Sequence, residues 1–316
     1  MPLYHTPAAF PSASSEFQTA SGPIDYQMTN DYMFHAVLQE NPNVLKSLIC
    51  SLLNLNPDDI RSIQILNPIS LGASIDNKTF ILDINILFNN NTLINLEMQV
   101  KNLFNWEDRS LSYLCRAFDQ LLKGSEYHTA KPAIHISILN FTPFPDLPEF
   151  YASYKLLNEK NHHIYSDKFN LRMLDLTCIH LATPKDQACQ LDNWAKLLRA
   201  TTWEEIKMIA KHNTALLEAS ETLFTLNADD LIRKQCQARS DYYRLHNTIS
   251  QKLNTLTAEV KSLSSENQCL TSENQCLTSE NLSLNSKVKN LTLENQEKDL
   301  LIEQLKAQLH KNQPPV

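Results

Sequence analysis

Apolar side chains recur over residues 28–55 at intervals of three and four, which is the spacing of an amphipathic helix. Thr29 and Asn30 are both suited to cap its first turn, and Pro42 breaks the helix or starts a second one. The helical spacing returns over residues 105–124 and stops at Gly124, a residue type that is common where helices end. The pattern predicts a broken helix near the start of the chain and another that closes near Gly124.

Segments of strand length alternate with these helices. Apolar runs predict strands within residues 60–70, 131–141 and 171–179, and residues 81–100 form two apolar runs separated by an asparagine-rich turn. The run at 131–141 is typical of a strand that is covered on both faces. Helical spacing follows from about residue 186 to residue 226. This order of elements predicts an α/β domain over residues 28–245.

The C-terminal region follows a seven-residue repeat, visible in "SSENQCLTSENQCLTSENLSL". Leucine recurs at every seventh position from Leu256 to Leu291. The heptad positions three residues before these leucines and their continuation hold Leu253, Val260, Asn267, Asn274, Asn281, Val288, Asn295 and Ile302. This pattern predicts a parallel two-stranded coiled coil over residues 246–311, and hence a homodimer whose buried Asn pairs fix the register at a cost in stability. A solvated, partly disordered low-complexity tail is the alternative, and the unbroken leucine heptads favour the coiled coil.

The two ends of the chain have no such repeat. Residues 1–27 lack the basic start and apolar core of a signal peptide, and we expect a flexible leader there and a disordered tail at residues 312–316. No apolar run approaches the roughly 20 residues that a bilayer requires. We therefore expect no membrane partner and, by default, a cytoplasmic location.

Composition removes several classes of function. Three glycines leave no place for a glycine-rich phosphate loop, and seven cysteines contain no C-x-x-C pair that would indicate a zinc or redox site. His135, His162 and His163 lack partners at metal-ligand spacing, and no role is predicted for them. The formal net charge of -7 argues against a globally basic nucleic-acid coat but allows a local basic face.

Polar side chains occupy alternate positions of the hairpin predicted at residues 81–100. Residues two apart in a strand share a face. The first strand therefore carries Asp83 and Asn85 on one face, and the second carries Asn95, Glu97 and Gln99. The solvent-exposed face of an antiparallel hairpin shows the same alternation, so the pattern alone leaves an exposed face and a functional site both open.

A turn centred on Asn90 would pair residues whose numbers add up to 180. Asp83 then lies opposite Glu97, and Ile81 opposite Gln99, with Cβ atoms about 4.5–5.5 Å apart. Two carboxylates at this distance repel unless one is protonated or a cation lies between them. Mg²⁺ binds one or two carboxylates and keeps several waters, so the hairpin is a candidate metal site. A turn one residue longer or shorter would remove this pairing.

The segment "LDINILFNNNTLINLEMQV" resembles the D…(D/E)-x-K signature of the PD-(D/E)XK nuclease superfamily, with Gln99 in the place of lysine. More specifically, residues 28–245 are similar to the PD-(D/E)XK nuclease family transposases, also called recombination-promoting nucleases. The matching motifs are "TNDYMFHAVL" for the opening helix, "NKTFILDI" before the catalytic aspartate, "NLEMQV" for the E-x-Q strand, and "RSLSYLCRAFDQLLKGSEY" with "KPAIHISILNF" for the next helix and strand. His35 departs from the family, which has Lys or Arg there.

The resemblance implies a restriction-endonuclease-like α/β core, with a mixed sheet flanked by helices. It also implies a metal-dependent DNA endonuclease that hydrolyses phosphodiester bonds in recombination or mobile-element activity. Asp83, Glu97 and the backbone carbonyl of Met98 would hold Mg²⁺ or Mn²⁺, and Gln99 would touch the attacking water or the scissile phosphate. Asp31 is a weaker candidate for an outer carboxylate, because an acidic residue at a helix N-terminus needs no such role. The alternative is a decayed nuclease core that binds DNA or serves as a coiled-coil scaffold.

Basic side chains follow the candidate site. Lys101 comes directly after it, and Arg109, Arg116 and Lys123 recur every seventh residue, near one face of the predicted helix. Such a row would contact DNA phosphates without reading the base sequence. A solvated charged face is the alternative.

Overall fold

The computed structural model describes residues 14–69, 83–102, 105–121 and 123–311. The chain divides into two compact units, Met1–Tyr243 and Arg244–Val316. The helices are α1 (Ser15–Thr19), α2 (Asp31–Glu40), α3 (Pro42–Leu53), α4 (Trp106–Phe118), α5 (Pro184–Ala188), α6 (Leu191–Arg199), α7 (Trp203–Ala210), α8 (Thr214–Ala228) and α9 (Asp230–Lys311). The strands are β1 (Ile63–Ile65), β2 (Ile84–Phe88), β3 (Thr92–Gln99), β4 (Ala133–Leu139), β5 (Tyr151–Lys155) and β6 (Phe169–Asp175). Short 3₁₀ helices cover Pro57–Asp59, Tyr127–Thr129 and Leu176–Leu181.

The strands form a mixed sheet in the order β1-β2-β3-β4-β6-β5. β1, β2 and β3 are antiparallel neighbours, whereas β3 with β4 and β4 with β6 run parallel. β5 closes one edge, antiparallel to β6. Parallel neighbours need a crossover connection, and α4 lies in the one between β3 and β4. A mixed sheet with flanking helices confirms the predicted α/β fold.

The sheet separates two apolar cores. Ile84 and Ile136 belong to the larger core, which also contains buried residues of α2, α3, α6 and α8. Met173 belongs to the second core, together with Trp106 and Leu114 of α4. Cover on both faces explains why the predicted strand at residues 131–141 is apolar almost throughout.

Asparagine side chains cap the two helices that begin the domain. Asn30 accepts hydrogen bonds from backbone N–H groups of the first turn of α2, and Asn41 does the same for α3. Pro42 occupies the first turn of α3, where its missing N–H leaves no hydrogen bond unmade. The predicted break at Pro42 is confirmed.

The hairpin has the predicted register. The observed pairs include Ile84–Leu96, Asn85–Asn95 and Ile86–Ile94. Asn89 and Asn90 adopt left-handed φ angles of 48° and 59°, which asparagine tolerates better than most residues. Asp83 directly precedes β2, at the position that continues this register toward Glu97. Ile81, the predicted partner of Gln99, lies outside the described residues.

Helix α4 is shorter than predicted. It ends at Phe118, and Gly124 lies in a separate turn with a φ of 89°. Phe118 packs edge-on against Phe169 of β6, with ring centroids 5.8 Å apart, so the last turn of α4 is fixed against the sheet. Lys123 is therefore not on the helix that carries Arg109 and Arg116, and the predicted row of three basic residues on one helix face is wrong at this position.

Residues 14–27 belong to the first unit and pack against its helices, so the expectation of a flexible leader does not hold for them. Phe17 of α1 is 1 % exposed. Its ring meets those of Trp203 and Phe224 edge-on, at centroid distances of 6.4 and 5.9 Å. Ile24 is also buried. These apolar side chains attach the segment to the helical side of the domain.

Most of helix α9 lies in the second unit, Arg244–Val316. The heptad leucines from Leu256 to Leu291 are 49–62 % exposed in the single chain. An exposed stripe of leucines on a long helix is what the coiled-coil prediction requires, and dimerisation stays a prediction. Among the described helices, none has an apolar stretch sufficient to cross a bilayer.

Candidate active site

The polar face of the hairpin is buried. Asp83, Asn95, Glu97 and Gln99 are between 2 % and 6 % exposed. Helix α4 lies against the same side of the sheet, where the indole N–H of Trp106 donates a hydrogen bond to the hydroxyl of Ser137 in β4. The solvent-exposed interpretation of this face is therefore wrong. Burial of so many polar atoms is costly unless each finds a partner, so their contacts identify what the site can bind.

Asp83 uses only one of its carboxylate oxygens within the protein. The side-chain amide of Asn95 donates to Oδ2 of Asp83 at 2.5 Å and to Oδ1 of Asn85 at 2.9 Å. Oδ1 of Asp83 is buried and has no hydrogen-bond partner among the described residues. Burial raises the pKa of Asp83, and the hydrogen bond from Asn95 opposes that shift.

Glu97 likewise has a partner for only one of its two carboxylate oxygens among the described residues. Nη2 of Arg109 lies 2.6 Å from its Oε1, in an ion pair that joins β3 to α4. Oε2 is buried without a hydrogen-bond partner among the described residues. Burial raises the pKa of Glu97 to about 6, although the Arg109 guanidinium favours the ionised form.

Gln99 and Met98 complete this end of β3. Nε2 of Gln99 donates to the backbone carbonyl of Lys101 at 3.2 Å, whereas its Oε1 is buried with no partner in the described parts of the chain. Met98 buries its side chain in the larger core on the other face of the sheet. Met98 also lines the cavity described next, and its role as a backbone-carbonyl ligand stays a prediction.

One cavity of about 90 Å³ joins these groups. Its walls are formed by Asp31, Asp83, Glu97, Met98, Gln99, Lys101, Arg109, Arg239, Tyr242 and Tyr243. A cavity needs only about 10–15 Å³ of accessible volume to hold one water, so this one has room for an ion with waters. All the predicted catalytic and metal-binding residues thus line one cavity.

Asp31 lies in the wall of the cavity but is already paired. Nε of Arg239 donates to its Oδ2 at 2.6 Å, and the hydroxyl of Tyr243 donates to the same oxygen at 2.7 Å. Its Oδ1 accepts from the backbone N–H of Tyr32 at 3.0 Å. These contacts favour a role in holding Arg239 against α2 over a role as an outer metal ligand.

The predicted basic row has a different arrangement from the one expected. Arg109 points into the cavity as the partner of Glu97, and its guanidinium also lies 5.3 Å from the ring centroid of Tyr113. The guanidinium of Arg116 lies over the same ring at 6.0 Å. Lys101 borders the cavity. The basic groups nearest the site are therefore Lys101 and Arg109, with Arg116 one step further along α4.

Two groups of site residues were missed from the sequence. His135 and Ser137 of β4 lie beside Asn95 and Glu97 of β3 in the parallel register. Their period-2 spacing within an apolar strand is a signal that could have placed them on the polar face. Arg239 had no such signal, because its partner Asp31 is 208 residues away in sequence.

The site contains no cage made only of protein ligands. Across residues 14–69, 83–102, 105–121 and 123–311, no group of three or more His, Cys, Asp or Glu side chains is placed to hold a metal ion. Two carboxylates that leave room for water are nevertheless the usual protein contribution to a Mg²⁺ site.

A protein family matches most of this chain. The family model described as PD-(D/E)XK nuclease family transposase matches residues 28–252, which is more than half of the chain. No curated protein and no solved structure has a significant match. The matched range includes the β2–β3 hairpin with Asp83, Glu97 and Gln99, and the mixed sheet is consistent with this fold. The chain belongs to the PD-(D/E)XK nuclease family transposases.

Proposed function

We propose that this protein is a divalent-metal-dependent DNA endonuclease that hydrolyses phosphodiester bonds. One observation carries the proposal. Three buried acceptor atoms, Asp83 Oδ1, Glu97 Oε2 and Gln99 Oε1, lack hydrogen-bond partners among the described residues and belong to side chains that line one cavity. Each unsatisfied buried group costs about 1–3 kcal/mol, and more if it is charged. A small cation with its waters would satisfy these oxygens together.

The donor set fits Mg²⁺ or Mn²⁺. Hard divalent cations prefer carboxylate, carbonyl and water oxygens. Asp83 and Glu97 would hold the ion through their unpaired oxygens, and the backbone carbonyl of Met98 is the proposed third ligand. When bound, the ion supplies a Lewis acid that acidifies water and reduces charge repulsion at the phosphate.

Gln99 and Arg109 have separate tasks in this proposal. The amide of Gln99 does not titrate, so it cannot take a proton from water, but its unpaired Oε1 can accept a hydrogen bond from a water and orient it. The guanidinium of Arg109 places a positive charge beside Glu97, with Nη2 2.6 Å from Oε1. It can also donate hydrogen bonds to the oxygens of a bound phosphate. Electrostatic stabilisation of a phosphate whose charge changes during reaction is the function of such groups.

DNA would be held through its backbone. Lys101 borders the cavity and Arg116 lies along α4 from Arg109. Contacts from these side chains to phosphates would position the duplex without selecting a base sequence. The family description supports a connection with recombination or mobile elements.

A dimer formed through α9 would give the enzyme two sites. The exposed heptad leucines support a parallel coiled coil, and a symmetric dimer can act on the two strands of one duplex. The rate of double-strand cleavage should then depend on protein concentration near the dimer dissociation constant.

Plasmid cleavage tests the proposal. Wild-type protein should convert supercoiled DNA to nicked or linear forms in Mg²⁺ or Mn²⁺, and EDTA should stop the reaction. Asp83→Asn keeps the size of the side chain but removes its charge, and it should lower the rate by more than about 100-fold. Asp58→Asn, at an exposed acid outside the cavity, is the matched control and should cleave at the wild-type rate. DNA binding without metal-dependent cleavage by the wild-type protein would favour the non-catalytic scaffold instead.

A further inference from the structure

A chain of buried hydrogen bonds connects α4 to Asp83. It consists of Trp106 Nε1 to Ser137 Oγ (3.0 Å), Ser137 Oγ to His135 Nε2 (2.8 Å), His135 Nδ1 to Asn95 Oδ1 (2.6 Å) and Asn95 Nδ2 to Asp83 Oδ2 (2.5 Å). All five side chains are at most 6 % exposed. The chain crosses from α4 through β4 and β3 to the residue that precedes β2.

Chemistry fixes the direction of the bonds at the Asp83 end. The NH₂ group of Asn95 lies within hydrogen-bond distance of two oxygens, Asp83 Oδ2 and Asn85 Oδ1, and an NH₂ group has the two hydrogens that this arrangement needs. The amide oxygen of Asn95 is then turned to His135, where it needs a donor. Nδ1 of His135 must therefore carry a hydrogen.

The same reasoning fixes the other end. An indole N–H only donates, so Ser137 Oγ accepts from Trp106 and directs its own hydrogen to Nε2 of His135. Nε2 is then the bare acceptor of a neutral imidazole. The ring is fully buried, which disfavours a charged imidazolium. It stacks on Tyr113 at a centroid distance of 5.8 Å.

We propose that His135 and Asn95 are positioning residues for Asp83. The Nδ1–H of His135 fixes the Asn95 amide, whose NH₂ group holds Oδ2 of Asp83. Oδ1 of Asp83, a residue that lines the cavity, is left without a partner among the described residues. His135 does not hold Glu97 in the same way, because its Nε2 lies 3.9 Å from Oε2. The consequence for metal binding rests on the proposed function, whereas the tautomer of His135 does not.

The tautomer can be read directly from ¹⁵N NMR of metal-free, full-length protein with labelled histidine. The His135 signals are identified by their loss in His135→Phe. We expect a protonated Nδ1 and a bare Nε2, and in Ser137→Ala, which lacks the donor to Nε2, the preference should weaken. A protonated Nε2 in the wild-type protein would overturn the hydrogen-bond order.

A matched pair of variants tests positioning against packing. His135→Phe keeps a ring that can stack on Tyr113 but has no N–H, whereas His135→Asn loses the ring and keeps an N–H donor near the former Nδ1. Mn²⁺ binding, measured by electron paramagnetic resonance on folded protein, should weaken about 10–100-fold in the Phe variant and within about threefold in the Asn variant. The reverse order would show that His135 matters only for packing.

The outcomes separate this inference from the proposed function. If the wild-type protein binds no Mn²⁺ but has the expected His135 tautomer, the metal-dependent function is contradicted. The proposed order of hydrogen bonds is then still supported. If both His135 variants fail to fold, Ser137→Ala, a smaller change, decides through its NMR signature and its Mn²⁺ affinity. If Ser137→Ala has the same His135 NMR signature and the same Mn²⁺ affinity as wild type, the proposal is contradicted.

Discussion

Burial and an ion pair act in opposite directions on the proton of Glu97. The side chain is 5 % exposed, and burial raises its pKa to about 6 even though Arg109 lies 2.6 Å away. The pKa of Asp83 is also raised, again because burial outweighs the hydrogen bond that it accepts. Ionisation of either group therefore costs free energy in the metal-free fold, and a divalent cation would relieve that cost.

Stability should depend on pH through Glu97. The folded state keeps this proton up to about pH 6, whereas the unfolded chain releases it near pH 4.5, so ionisation penalises the folded state. In EDTA, the free energy of unfolding of wild type relative to Glu97→Gln should fall by about 1 kcal/mol from pH 5 to pH 7.5. Urea denaturation measures the difference. A difference between wild type and Glu97→Gln that does not change with pH would refute the shift.

Among the secondary-structure elements, helix starts and the hairpin turn could be predicted from nearby residues alone. The cap at Asn30, the break at Pro42 and the hairpin centred on Asn90 follow from residue type and period-2 spacing, and the structure has them. The hairpin register then brings Asp83 toward Glu97. Most of the candidate site could therefore be predicted from one segment of sequence.

The remaining differences arise from contacts between distant segments. Apolar spacing continues beyond Phe118, but α4 ends where that ring packs on Phe169. Strand β5 was not predicted from the sequence. It is an edge strand whose last three residues are all exposed, so apolar and polar side chains do not alternate clearly along it. His135 bonds to a residue 40 positions away, and such pairs appear only when the register of β3 and β4 is known.

The turn offers a test of how the hairpin is held. Asn90 has a φ of 59°, a conformation that costs an L-residue about 1–2 kcal/mol and glycine almost nothing. Asn90→Ala should therefore lower the free energy of unfolding by about 1 kcal/mol, while Asn90→Gly should leave it within about 0.5 kcal/mol of wild type. Equal stabilities for the two variants in urea denaturation would contradict the left-handed conformation at Asn90.

At the scale of the whole molecule, the heptads of α9 predict a specific but weak dimer. Asn occupies several core positions, including Asn267 and Asn274, and these layers lower stability while they fix the register. The flanking g positions carry Glu259, Glu266, Glu273 and Glu280, whereas the e positions that would face them carry Ser264, Thr271, Thr278 and Asn285. A parallel homodimer therefore lacks the usual interchain ion pairs between these positions, and its affinity should depend little on salt.

Replacement of the core asparagines should strengthen the dimer. Asn267→Val with Asn274→Val should lower the dimer dissociation constant at least about tenfold, because two buried polar layers become apolar. The control Gln268→Val changes an outward heptad position and should have little effect. Sedimentation equilibrium of the full chain at micromolar concentration measures both. Monomers at every concentration, for wild type and variants alike, would contradict the coiled-coil interpretation.

If Asp83 and Glu97 together hold a divalent cation, calorimetric titration of metal-free protein with Mn²⁺ will detect it. We expect wild type and the control Glu107→Gln to bind Mn²⁺ with the same affinity, and Asp83→Asn and Glu97→Gln to lose this binding while they remain folded. Binding by Asp83→Asn and Glu97→Gln with wild-type affinity, or its absence in the folded wild-type protein, would contradict this expectation.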